Sequence, residues 1–165
     1  MAFAHMMIRK VMLAAVCGIV ALAVSPSQAQ QATEIHLNYS KGQFQPTATR
    51  HDDFARVPPA SPERKTIDAT IECIGCGVCY ASCDVVGWKA DYLGPAALNR
   101  AWTLVNDVRD GAGVARLRAV AADGGCQSCH THQSCTRSCP KHLSPTASIA
   151  GLKRLVAQAA LKGKL

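Results

Sequence analysis

The stretch CIGCGVCYASC sets four thiols at Cys73, Cys76, Cys79 and Cys83, with spacers of two, two and three residues. A second stretch, CQSCHTHQSCTRSCP, repeats that frame as Cys129, x2, His132, x2, Cys135, x3, Cys139, with Cys126 three residues ahead of Cys129. This is an internal repeat with one substitution: an imidazole stands where the first run has the thiol of Cys76. Thiolates at such spacing are soft ligands for zinc or for iron-sulfur clusters. Zinc held by pairs such as Cys73-x2-Cys76 and Cys126-x2-Cys129 leaves the remaining cysteines of both runs unexplained. A disulfide framework has no need of two evenly matched runs. Iron-sulfur ligation accounts for the full spacing of both.

In two-cluster ferredoxins the first three cysteines of such a run hold one cluster, and the fourth, beyond the three-residue spacer, ligates the other. Applied here, Cys73, Cys76, Cys79 and Cys139 hold one cluster. Cys83, Cys129 and Cys135 hold the second, and either His132 or Cys126 is available as its fourth ligand.

The elements that position these runs read as helices. In SPERKTIDATIEC, Ser61 is the expected N-cap and Pro62 the first helical residue. Behind Gly94-Pro95, the residues Leu98, Ala101, Trp102, Val105 and Val108 recur at three- and four-residue steps, one face of an amphipathic helix. Val114, Leu117 and Val120 form the face of a second helix stopped at Gly124-Gly125. Ser144 and Pro145 open a third, with Ile149, Leu152 and Val156 on its apolar side. No alternating strand pattern of useful length follows residue 60. The expectation is an all-α domain holding two iron-sulfur clusters.

With 165 residues the chain has room for one modest domain plus leader and linker, and with aromatic residues at 5% something beyond an aromatic core must help to hold it together. Nine cysteines are the candidate. The net charge of +7 comes from scattered rather than clustered Lys and Arg, so it reads as a solvated basic surface, with no nucleic-acid partner. At the N-terminus, Arg9-Lys10, the apolar run Val11 to Val24 and the small-residue site Ser27-Gln28-Ala29 read as a secretory signal. The expected organisation is a signal-like leader over 1–29, a disordered linker over 30–60 and the dicluster domain over 61–165. Cys17, inside the leader, plays no part in the chemistry.

Residues 61 to 156 resemble the C-terminal half of the iron-sulfur subunit of succinate dehydrogenase and fumarate reductase. The motifs that carry the resemblance are ECIGCGVCYASC, YLGPAALNRAW, NDVRD, CHTHQSC and SCPKHLSPTASIAGLKRL, in order. It implies an alpha-helical ferredoxin-like fold with a 4Fe-4S cluster on Cys73, Cys76, Cys79 and Cys139. It implies a 3Fe-4S cluster on Cys83, Cys129 and Cys135, since family members usually carry an apolar residue where His132 stands; a fourth ligand from His132 or Cys126 would make it 4Fe-4S. It also implies a quinone site beside Trp88 and His130, a flavoprotein dehydrogenase subunit and membrane anchor subunits as partners, and a peripheral place on the cytoplasmic face of a bacterial inner membrane. The chain would relay electrons between flavoprotein and membrane quinone and would not be catalytic alone. YLGPAAL and PKHLSPTASI favour this branch over dicluster subunits of the glycolate oxidase or heterodisulfide reductase type. An exported cysteine-rich module holding zinc or disulfides is the reading from a different class.

The departures from the family are specific. No cysteine lies between Cys17 and Cys73, so the plant-type 2Fe-2S domain of the family's N-terminal half is not expected in this chain. Asp84 replaces the usual proline after the fourth cysteine. The leader points to export, against the cytoplasmic face, and a rearranged 5′ end would account for both the leader and the missing domain.

Overall fold

A computed structural model describes residues 44–165 except Phe54. The leader, Cys17 and the first part of the linker fall outside these residues. The described elements are helices α1 (Pro62–Ile71), α2 (Val78–Ala81), α3 (Asp84–Trp88), α4 (Gly94–Val105) and α5 (Gly113–Ala121), a 3-10 turn at Cys126–Ser128, then α6 (Ser134–Arg137) and α7 (Pro145–Leu161). Among the described residues the only β-pairing is a single antiparallel bridge, Pro46 with Asp110, so the domain is all-α.

Local chemistry starts these helices where the sequence predicts. The Ser61 hydroxyl accepts from the Arg64 amide at 3.2 Å, and the Ser144 hydroxyl from the Ala147 amide at 3.3 Å. In both helices a proline follows the cap, at a position where the missing amide hydrogen costs nothing.

Helix α4 is central, packed against α1, α5 and α7. The core gathers Val85, Tyr92, Leu98, Val120, Cys126, Ile149, Leu152 and Val156. Because α4 is covered on more than one side, its buried face is wider than the predicted apolar stripe and includes Asn99 and Thr103. Both are satisfied: the Ser148 hydroxyl donates to Asn99 Oδ1 at 2.8 Å, and Thr103 Oγ1 donates to Thr70 Oγ1 at 3.1 Å. A Cβ on Gly151 would run into the Trp102 ring, so this glycine is what lets α7 approach α4 so closely.

Two stripe assignments differ from the sequence reading. Helix α4 ends at Val105, with the Asn106 side-chain amide donating to the Trp102 carbonyl at 2.8 Å, and Val108 lies beyond it, exposed. On α5 it is Arg116 rather than Val114 that is buried. Its guanidinium meets the Asp110 carboxylate through Nε–Oδ1 at 3.1 Å and Nη2–Oδ2 at 2.7 Å. Burial alone would raise the Asp110 carboxyl, but hydrogen bonds from Arg116 and from the amides of Gln45 and Ala112 outweigh it and hold the carboxyl below its ordinary range. Through Gln45 this ion pair also anchors part of the sequence read as linker: Thr47 N donates to Arg109 O and Gly111 N to Gln45 O.

Candidate metal centre

Each cysteine run folds as a loop that turns into one helical turn, and the two loops share one backbone geometry. In the first, Gly75 (φ 68°) and Gly77 (φ 74°) are left-handed and Gly77 caps α2. In the second, Thr131 (φ 62°) and Gln133 (φ 63°) take the same two positions and Gln133 caps α6. Glycine adopts this conformation freely, whereas a β-branched threonine does so only when the surroundings impose it. The repeat seen in the spacing is therefore also a repeat of backbone conformation, with His132 at the place of Cys76.

The loops enclose two hollows. One, of about 430 Å³ including its open mouth, is lined by Cys73, Cys76, Cys79 and Cys139, with Ala96, Asn99, Leu143 and Pro145 as its inner wall. The other, of about 320 Å³, is lined by Cys83, Cys129 and Cys135 together with Asp84, Tyr92, His130 and His132. Thus Cys83 leaves its own run for the second hollow and Cys139 leaves its run for the first. The cause is mechanical: each run ends in a single helical turn, α2 or α6, which carries the last cysteine past the loop, and these two turns pack against each other.

Donor chemistry fits iron-sulfur clusters. All eight described cysteines are free thiols, so the loops are not stapled. Among the described residues no three Cys, His, Asp or Glu side chains converge tightly enough for a single metal ion. The zinc pairing is not assembled either, since Cys126 is packed in the core, Cys129 faces the second hollow, and Cys73 and Cys76 face the first. Burial, followed by the neighbouring thiols of Cys73 and Cys135, pushes the Cys79 thiol up to about 11. A protein without bound metal would keep it protonated at neutral pH. Such a crowd of thiols is stable as thiolates only beside a cation, and a metal removes those protons outright.

Backbone and side-chain donors point at the sulfurs. Thr131 N donates to Cys129 Sγ and Leu143 N to Cys139 Sγ, both at 3.4 Å. Tyr92, 3% exposed, sits against Cys129 and Cys83; burial first and then these thiols raise its hydroxyl well above the ordinary phenol, which keeps it a hydrogen-bond donor toward Cys129. Lys153 Nζ donates to the Cys129 carbonyl at 2.8 Å. Sequence reasoning missed both residues, because Tyr92 and Lys153 look like any core tyrosine and surface lysine until the chain brings them to Cys129.

At the mouth of the second hollow three rings meet edge to face. Trp88 and His130 are 6.4 Å apart between centroids, Trp88 and His132 6.0 Å, and His130 and His132 6.1 Å. Trp88 is 66% exposed, high for an indole. Asp84 Oδ2 lies 3.5 Å from His132 Nδ1. Of the two candidates for a fourth ligand, His132 lines this hollow, while Cys126 is fully buried in the core, its thiol raised by burial, and does not.

An all-helical frame with two thiol-lined hollows of this kind defines a carrier of iron-sulfur clusters, and residues 72–144 match the family model of the 4Fe-4S dicluster domain. The chain is also 39% identical over 118 residues to the succinate dehydrogenase [ubiquinone] iron-sulfur subunit, mitochondrial, of Candida glabrata, a match that takes in 69% of this chain and 47% of that protein. The chain spans about half the length of this curated relative. It therefore carries a 4Fe-4S dicluster domain and is related to the succinate dehydrogenase iron-sulfur subunits. Among the described residues no helix is long and apolar enough to cross a membrane.

Proposed function

We propose that this chain is the electron-relay subunit of a succinate dehydrogenase or fumarate reductase type complex, working between a flavoprotein subunit and membrane quinone held with anchor subunits, on the cytoplasmic face of the membrane. The observation that carries the reading is the crossed lining of the two hollows, which pairs Cys139 with the first run and Cys83 with the second. Cys73, Cys76, Cys79 and Cys139 are assigned to a 4Fe-4S cluster. Cys83, Cys129 and Cys135, three thiolates, are assigned to a 3Fe-4S resting state. Bound clusters supply one-electron storage and transfer, so the chain makes and breaks no substrate bonds itself.

Its residues do the rest. The thiolates would hold the two clusters. The Tyr92 hydroxyl and the Thr131 amide donate to the Cys129 sulfur, which withdraws charge from it and raises the potential of the second site relative to an unbonded thiolate. Trp88 offers a broad exposed apolar surface for a flat ring, and His130 beside it offers an imidazole as a local proton donor. Quinone reduction needs both an electron source and a proton source, and these two residues stand at the mouth of the second hollow.

The test is a pair of substitutions in the anaerobically purified chain. Cys79→Ser should remove the 4Fe-4S signal and leave the paramagnetic resonance of the second site detectable, while Cys83→Ser should do the reverse. Loss of the same signal in both would overturn the crossed assignment.

A further inference from the structure

We infer that His132 is the fourth ligand of the second site, able to capture one additional ferrous ion and convert its three-iron cluster to a four-iron one. This rests on the cluster reading above and extends it to a residue that the reading leaves unused. Two independent observations carry it.

The first is the backbone. His132 sits between Thr131 and Gln133, both left-handed, as Cys76 sits between Gly75 and Gly77. Cys76 lines the first hollow and His132 lines the second. The second loop has this shape with no glycine at either position, although the left-handed conformation is unfavourable for a non-glycine residue and most of all for a β-branched threonine. Arg137 Nη1 donates to the His132 carbonyl at 3.3 Å and its Nη2 to Ser134 Oγ at 3.3 Å, clamping the loop from outside. The conformation that presents a ligand in the first run is thus retained, at a cost, around the one position where the ligand type has changed.

The second is Asp84. Its carboxylate faces Nδ1 of His132 at 3.5 Å. A histidine that binds metal through one ring nitrogen commonly gives the proton on the other to a carboxylate, which fixes the tautomer and makes the free nitrogen a better donor. Asp84 stands on the Nδ1 side of the ring, so Nε2 is the nitrogen that this arrangement assigns to the metal. Neutral imidazole is an established ligand to iron in clusters that otherwise have thiolates. The ring is also braced edge to face by Trp88 and His130.

The conversion balances. One electron from dithionite reduces the three-iron core, and a ferrous ion then enters its open corner. Bonds form from the ion to core sulfides and to the His132 nitrogen, waters leave the ion, and no iron–thiolate bond breaks.

The experiment uses the full chain, cluster-loaded and anaerobic. After reduction with dithionite it receives one equivalent of ⁵⁷Fe²⁺, is desalted, and is returned to the oxidised state with a mild oxidant. Wild type should gain about one iron per chain, lose the paramagnetic signal of the oxidised three-iron cluster, and show the label at a single distinct Mössbauer site. His132→Leu should keep the three-iron signal and gain no iron. His132→Cys should capture iron at least as well as wild type, showing the corner to be open. Asp84→Asn should weaken capture by about tenfold or more, the usual effect of losing a carboxylate behind a metal-bound histidine. Equal capture by His132→Leu and wild type overturns the inference, as does a wild type that captures nothing. Absence of any cluster signal in wild type would overturn the cluster reading itself, a distinct outcome.

Discussion

His130 and Trp88 stand beside the second site, their rings edge to face with each other and with His132. Neither lines up as a cluster ligand in the repeated frame, so substituting them should alter quinone chemistry without altering cluster content. With the chain chemically reduced and offered a soluble quinone, His130→Ala should slow electron transfer. The loss should be about a hundredfold or more where assisted proton transfer limits the rate, and less where water substitutes. Trp88→Ala should weaken quinone binding, read as a raised KM. Unchanged rates in both variants at equal cluster loading would remove the quinone site and leave the relay. Tyr92→Phe isolates a different effect: with the ring and its packing kept and one donor to Cys129 removed, redox titration should show the second site's potential moving down while the first site's stays put.

Among the elements, the contact of α4 with α7 is the least forgiving. Gly151 faces the rigid Trp102 ring, whose Nε1 donates to the Thr66 carbonyl at 3.3 Å and so cannot swing away without losing a bond to α1. Gly151→Ala should therefore destabilise the domain by about 1–3 kcal/mol, the usual cost of overpacking, measured as a shift of the urea midpoint at constant slope. The Asp110–Arg116 pair is the other sensitive joint. Its side chains are 0% and 7% exposed, and it joins α5 to the Gln45 segment. Asp110→Ala would remove the carboxylate that faces the buried Arg116 guanidinium and accepts from the Gln45 and Ala112 amides, and breaking one partner of such a pair costs about 3–5 kcal/mol. Urea unfolding at neutral pH, combined with protease sensitivity near residue 45, checks both the stability loss and the release of that segment. If the stability fell while residues near 45 stayed protected, the anchoring role would be wrong.

For the molecule as a whole, the core is small and both cysteine loops are held by short turns rather than long helices. Binding energy at the two sites should then appear as folding energy. Stripping the clusters with a chelator and oxidant should lower the unfolding midpoint and broaden the transition, a loss of about 4 kcal/mol or more if binding is a thousandfold tighter than the free ligand level. A transition unchanged by cluster removal would mean that the helices stand without them. The purified chain alone should not oxidise succinate, because in the relay reading substrate oxidation belongs to the flavoprotein subunit; succinate oxidation by the isolated, cluster-loaded chain would refute that reading.

Cysteine spacing by itself determined the class of chemistry, because ligand count and interval are written in one dimension. Helix starts at Ser61-Pro62 and Ser144-Pro145 were equally legible, being set by local hydrogen bonds. The turn to buried polar partners was not: Asn99, Thr103 and Arg116 are core residues only because Ser148, Thr70 and Asp110 arrive from distant positions to satisfy them. Nor could spacing tell His132 from Cys126 as neighbours of the second site, since both stand three residues from Cys129. The tertiary structure separated them, sending Cys126 into the apolar core as the chain turns through Gly124-Gly125 and leaving His132 on a left-handed loop beside Asp84. Which face a residue takes depends on what packs against it, and that is decided only when the whole chain has closed.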